Sequence, residues 1–197
     1  MSVAYTFAQT PVQLPGLTLA AGIAIVNALD SLTIDGVSLK WPNDLVAKDS
    51  KLGGILTEVR QHHARGTTVV IGIGINVTLP AVSLKRLARE SDGGVIDVTS
   101  MVENPPSHSA LAAAVIEHLF GMFSRFEIHG FAPYHKAWPQ YDWLHGRRIS
   151  VESPQGLLSG VAEGIDDDGA LLIRARDGRK RILSGSIALS KHSAARA

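Results

Sequence analysis

Apolar and polar positions alternate over Val3, Tyr5 and Phe7, so the chain opens in a half-buried strand. Pro11 and Pro15 bracket a connection. From Leu17 to Leu32 the pattern is apolar nearly all round, which predicts a helix buried against a sheet rather than one lying on the surface. Asp35-Gly36 turns the chain, and Val37–Lys40 reads as a strand. That strand must stop at Pro42, which lacks an N–H and holds Trp41 extended. A loop Trp41-Pro42-Asn43-Asp44 follows, then a hairpin turn at Asp49-Ser50, with Lys51 entering a strand that continues over Gly54–Gln61. After a turn at Arg65-Gly66, the Val- and Ile-rich run Thr67–Asn76 predicts a central strand. Three successive strands with short turns favour an antiparallel or mixed sheet over repeated βαβ units.

The second half holds one clear helix. Leu111, Val115, Leu119, Met122 and Phe126 recur at three- and four-residue intervals, Ser107 or Ser109 offers a cap, and Gly130 ends the run. A short helix is expected over Val82–Arg89, a polar loop over Glu90–Val95, and a second short helical stretch over Phe131–Trp138 with Tyr134 and Trp138 on one face. From about Gly146 the texture changes to short strands, Ile149–Glu152, Leu157–Ile165, Ala170–Ala175 and Lys180–Leu183. Turns at Pro154-Gln155-Gly156, Asp168-Gly169 and Asp177-Gly178 separate them, the signature of a small meander or barrel. The expected architecture is α+β, with one domain over 1–145, a smaller one over 146–190 and a frayed tail over 191–197.

Composition narrows the classes. At 197 residues, 45% hydrophobic and 19% charged, the chain can bury a sizeable core. A formal net charge of +1 gives no basic footprint for nucleic acid, and no DNA partner is expected. The absence of cysteine excludes disulfides and thiolate chemistry and fits a reducing cytoplasm. The longest apolar run, Leu17 to Leu29, is too short to span a bilayer, and no secretory leader pattern opens the chain.

The polar residues worth weighing cluster around the Trp-Pro-Asn-Asp block. Asn43 and Asp44 stand at a strand's carboxyl end, where side chains can converge on a ligand, or they simply form an Asx turn. Lys51 can supply a point charge, or be a solvated hairpin lysine. Gly53-Gly54 leaves bare backbone for a ligand, or marks a bulge. Asn76 closes a buried strand as a ligand contact or as a cap of its own backbone. Lys40 and Trp41 read as structural. Gly72 and Gly74 fail as a dinucleotide fingerprint because Val77 stands where a third glycine belongs. His62-His63 has no third ligand at metal spacing, and Asp166-Asp167-Asp168-Gly169 is a turn, so no protein metal site is expected. Arg174, Arg176, Arg179, Lys180 and Arg181 read as a solvated face offset by neighbouring acids.

Taken together, Lys40-Trp41-Pro42-Asn43-Asp44, a lysine seven residues after the aspartate, Leu52-Gly53-Gly54, and Gly72-Ile73-Gly74-Ile75-Asn76 resemble the central motif of biotin protein ligases. The later Gly130-Phe131, Tyr134, Trp138, Gly146-Arg147, Gly164-Ile165-Asp166 and Gly169-Ala170-Leu171 are similar to the same family, so the resemblance runs from Val3 to about Ser190. It implies a catalytic core like that of class II aminoacyl-tRNA synthetases, with a mixed or antiparallel sheet and packed helices, followed by an SH3-like barrel. It implies ATP-dependent conversion of biotin to biotinyl-AMP with Mg²⁺, then transfer to a lysine of a biotin carboxyl carrier domain; a homodimer is left open. By resemblance Lys51 and Asp44 are catalytic, and Asn43, Lys51, Gly53, Gly54 and Asn76 contact biotin or nucleotide. The block matches biotin ligases better than the related lipoate ligases. The family's Gly-Arg-rich loop, its Ser/Thr segment and the helix-turn-helix of some members have no counterpart in the 197 residues. The expectation is therefore an N-terminally incomplete ligase, weak on its own, with an unprotected side to its sheet. The alternative is a non-catalytic binding module of the same family.

Overall fold

The alternation at the start of the chain does form a strand. In the computed structural model, which describes residues 1–8, 14–62, 66–80, 82, 87, 93–153 and 156–189, β1 (Ser2–Phe7) turns Val3 and Phe7 into the core. It joins β2 (Val37–Lys40), β3 (Asp44–Ala47), β4 (Ser50–His62) and β5 (Gly66–Ile75) in one antiparallel sheet of order β1-β5-β4-β3-β2. The choice between mixed and antiparallel thus falls to antiparallel, because every connection among β2 to β5 is a hairpin-scale turn.

Two helices cover one face of this sheet. Helix α1 (Leu17–Asp30) is buried nearly all round, as its composition demands, because it lies between β2–β4 and the long helix α2 (His108–His129). Gly16 lets α1 start hard against Phe131, since a Cβ there would fall 2.4 Å from that ring. In α2 the Ser107 Oγ accepts from Ala110 N at 3.2 Å, and Leu111, Val115, Leu119, Met122 and Phe126 form the buried stripe. Tyr5 of β1 stacks on Phe123 at 4.5 Å between centroids and donates its hydroxyl to Glu127 Oε2 at 2.9 Å, pinning the edge strand to the helix. The opposite face of the sheet carries no helix among the described residues. There Leu56 stands 62% exposed, and beyond Gly54 strand β4 outruns β3, so from Thr57 onward β5 is its only strand partner among the described residues.

The short helix α3 (Ala132–Ala137) buries Tyr134, and Trp138 follows it into the core. Residues 141–143 then run beside β2: Leu39 N donates to Tyr141 O at 2.7 Å and Trp143 N to Leu39 O at 3.0 Å. A second antiparallel sheet is built from β6 (Arg148–Ser153), β7 (Gly156–Ile165), β8 (Leu171–Ala175), β9 (Gly178–Ile182) and β10 (Ser186–Leu189), in order β10-β6-β7-β8-β9. Only residues 183–185 lead from one edge strand to the other. That stretch reaches about 14 Å, whereas the edges of a flat five-stranded sheet lie about 19 Å apart, so the sheet must curl toward a barrel.

Two strands depart from expectation. Asp44 starts β3 rather than closing a loop, whereas β4 begins at Ser50, one residue before the expected entry at Lys51. A register shift between Leu45 and Val46 breaks the two-residue period and buries Leu45, Val46 and Ala47 in succession, which hides a strand from a pattern of alternation. β10 is short, and its three consecutive apolar residues Ile187-Ala188-Leu189 show no alternation to announce it. The stretch Val82–Arg89, the polar part of the loop before Gly93, Pro11, His63, Arg65, Pro154-Gln155 and the tail from Lys191 lie wholly or largely outside the described residues.

Candidate active site

The Trp-Pro-Asn-Asp block is the corner where β2 gives way to β3. Trp41 is 3% exposed and donates its indole N–H to Gly169 O at 2.9 Å, so it is core, and it ties the corner to the second sheet. The Trp41–Pro42 peptide bond is cis. Asn43 is committed locally: its Nδ2 donates to Ile55 O at 2.9 Å while its own carbonyl accepts from Ile55 N at 2.9 Å. It therefore closes the end of the β3–β4 ladder across strands, rather than making an Asx turn or holding both amide donors free for a ligand.

Asp44 and Lys51 do come together. Lys51 Nζ lies 2.5 Å from Asp44 Oδ1, with the lysine side chain 47% exposed and the aspartate 21%. The pair stands on the uncovered face of the first sheet. Beneath it is Gly54, where a Cβ would meet Asp44 Oδ1 at 3.6 Å and Lys51 Nζ at 3.7 Å. Gly54 pairs with Gly74 and Leu56 with Gly72, so bare backbone extends across two strands with Leu56 rising beside it. Gly53 has a different reason to be glycine: its Cβ would lie 2.3 Å from Gly74 O, so the sheet itself excludes a side chain there.

Asn76 faces neither cavity at the corner. Its Nδ2 donates to Lys51 O at 3.3 Å and Ile96 O at 3.2 Å, and its carbonyl accepts from Val98 N at 2.9 Å. It fastens residues 94–98 along the start of β4, where Lys51 N donates to Gly94 O and Ile96 N to Lys51 O, each at 3.0 Å. Asp97 anchors that segment and was not singled out by sequence. It is buried and accepts from Leu79 N, Thr99 Oγ1, Ser100 N and Ser100 Oγ. Burial pushes its carboxyl up, but the hydrogen bonds outweigh burial and hold it below the ordinary aspartate range. An aspartate followed by Val-Thr-Ser is a capping signal that could have revealed it.

Two cavities flank the corner. One of about 480 Å³ lies between the start of α1, Trp41-Pro42-Asn43 and the Asp168-Gly169-Ala170 turn of the second sheet. The other, about 200 Å³, opens beside the ion pair and is lined by Lys40, Asp44, Asp49, Lys51, Trp143 and Ile187. No group of three or more His, Cys, Asp or Glu able to hold a metal occurs among the described residues. A magnesium ion carried by nucleotide phosphates and water would find one carboxylate here, Asp44, able to hold it through water. Four of the five residues of the basic strip are paired: Arg174 and Arg179 meet Glu163, Lys180 meets Asp177, and Arg181 meets Asp166 and Asp168.

Comparison with known proteins follows the two sheets. Residues 2–76 match the family model "Biotin/lipoate A/B protein ligase family", and residues 144–190 match "Biotin protein ligase C terminal domain". "Bifunctional ligase/repressor BirA" of Escherichia coli (strain K12) is 33% identical over 191 residues, covering 96% of this chain and 57% of that protein. "Biotin--[acetyl-CoA-carboxylase] ligase" of Paracoccus denitrificans is 29% identical over 181 residues, covering 87% of this chain and 71% of that protein. The chain spans 53% to 58% of the length of the BirA relatives. The apo structure of biotin protein ligase from Aquifex aeolicus superimposes with a TM-score of 0.77 at 23% identity, over 96% of this chain and 83% of that one, and so shares the fold. With both sheets claimed by models that meet in one set of relatives, the chain belongs to the biotin protein ligase family.

Proposed function

We propose that this chain activates biotin with ATP to biotinyl-AMP and transfers the biotinyl group to a lysine of a biotin carboxyl carrier domain, in the cytoplasm. The observation that carries the reading is the Lys51–Asp44 pair above the bare backbone of Gly54, on the uncovered face of the sheet. In the first step a biotin carboxylate oxygen attacks the α-phosphorus and pyrophosphate leaves. Two anions must approach, and Lys51 offers the point charge that stabilises the charge developing between them. In the second step the acceptor amine attacks the biotinyl carbonyl, AMP leaves with the bonding pair, and the amine gives up a proton. Asp44 stands where it can orient that amine and accept the proton. Gly54, Gly72 and Gly74 give the ligand a flat floor, and Leu56 an apolar wall. Bound magnesium neutralises phosphate charge. The cavity beside the pair sets Lys40 and Lys51 against Asp44 and Asp49, which leaves little net positive charge for a reaction between anions, so turnover by this chain alone is expected to be slow.

Biotin-dependent exchange of labelled pyrophosphate into ATP, run beside calorimetry with biotin and Mg-ATP, tests the reading. Lys51→Ala should lower the exchange rate about a hundredfold or more while the fold survives, as expected when a group aimed at developing charge is lost. Folded protein that takes up neither ligand would leave a non-catalytic module of the family.

A further inference from the structure

Asp49 touches neither Lys51 nor Asp44, yet it sits at the tip of the hairpin that carries both. Lys48 and Asp49 form the turn between β3 and β4 with φ of 48° and 58°, left-handed at both positions. The Asp49 Oδ1 accepts from Trp143 Nε1 at 3.0 Å and from Arg147 Nη2 at 3.0 Å. The Arg147 guanidinium lies 4.1 Å from the centre of the Trp143 ring, so the two donors brace each other. Both are anchored elsewhere: Trp143 N donates to Leu39 O, and Arg147 O accepts from Ala162 N of the second sheet at 3.0 Å. Asp49, Trp143, Lys51 and Asp44 all line the same cavity of about 200 Å³.

We infer that Asp49 is a positioning residue for the ligase reaction: the Trp143–Arg147 clamp holds the hairpin tip so that Lys51 and Asp44 keep their places when ligand arrives. This rests on the function proposed above. The physical need is specific. Lys51 must leave Asp44 to face two anions, and the hairpin then loses its cross-strand ion pair. β3 has only four residues and a register shift, and the other bonds at the tip, Ser50 Oγ to Gly93 O at 3.0 Å and Lys48 Nζ to Ser100 O at 3.5 Å, hold the flanks of Asp49 and leave its side to the clamp. The clamp lies beyond the turn from the ion pair, and its bonds do not have to break when Lys51 moves. The carboxylate is 70% exposed, so the pair adds little to stability, and its effect lies in order.

Asp49→Gly removes the carboxylate and leaves a residue suited to the left-handed turn; Asp49→Asn keeps an oxygen acceptor in the same backbone. Amide hydrogen exchange over residues 44–54 of the full chain, thermal melts and the pyrophosphate-exchange assay are the readouts. Asp49→Gly should speed hairpin exchange and lower kcat about tenfold, with KM for ATP and the melting temperature little changed, since a small misplacement of a reacting group costs rate before affinity. Asp49→Asn should recover most of both. Hairpin exchange that is identical in all three proteins overturns the clamp, and faster exchange with unchanged kcat overturns its role in positioning. A wild-type chain with no pyrophosphate exchange, but with a hairpin loosened by Asp49→Gly, would defeat the proposed reaction and leave the clamp standing.

Discussion

Two adjacent glycines carry different burdens. Gly53 is squeezed by the next strand, with Gly74 O where a Cβ would go, whereas a Cβ at Gly54 would meet Asp44 and Lys51 at ordinary contact distance. Gly53→Ala should therefore destabilise the fold by about 1–3 kcal/mol, the range for forcing extra atoms into a packed site. Gly54→Ala should melt like the wild type but bind biotin and Mg-ATP more weakly, because the methyl group occupies the proposed floor. Urea denaturation and calorimetry on the two variants separate these effects; a Gly54→Ala protein with undiminished binding would remove the floor from the site. At this scale the sequence told a good deal. The resemblance of the motif to biotin protein ligases, and not spacing alone, brought attention to Asp44, Lys51, Gly53 and Gly54, and the first two do meet. It could not say that Asn43 and Asn76 have their amide donors engaged by backbone carbonyls, because that depends on which strand ends lie beside which.

Elements with an unbroken period were legible: α1, α2, β1, β2 and β5 lie within a few residues of where the pattern puts them. β3 and β10 were not: a register shift breaks the alternation of β3, and β10 runs Ile187-Ala188-Leu189 together with no alternation at all. The segment Gly94–Met101 is a third case. It follows β4 through backbone bonds at Lys51, and Asp97 caps its short helical turn at Val98–Ser100. The Asp97 carboxyl lies below its ordinary range, so the sign of its contribution is fixed. The stability it adds is fully present above the unfolded aspartate value of about 3.9 and is lost as pH falls through the lower folded value. Asp97→Asn should cost about 1–3 kcal/mol at neutral pH, since several donors lose a charged acceptor. The gap between variant and wild type in urea melts should shrink as pH falls below 4. A gap constant from pH 7 to pH 3 would show that Asp97 acts through packing alone.

The two sheets come from different stretches of sequence, yet they meet in one apolar cluster. Phe131 and Leu19 from the helical layer lie in the same cluster as Ile149, Val151 and Leu171 of the second sheet. The contact is tight at Gly169, which has a φ of +87°; a Cβ there would come within 3.1 Å of Leu19 Cδ1 and 3.3 Å of Gly16 Cα. Its carbonyl also holds the Trp41 indole, so one turn of the second sheet supports both the start of α1 and the corner before Asp44. A division of the chain near residue 145 is thus a change of architecture across a shared core. The two parts should unfold together in calorimetry, with equal calorimetric and van't Hoff enthalpies. Gly169→Val should lower the single melting temperature without splitting the transition, because strain in the turn and overlap with Leu19 act on both sheets at once. A wild-type melt in two steps, or a Gly169→Val protein that loses only the second sheet, would show that the halves are thermodynamically separate. The Trp41–Gly169 bond would then be a contact between independent bodies.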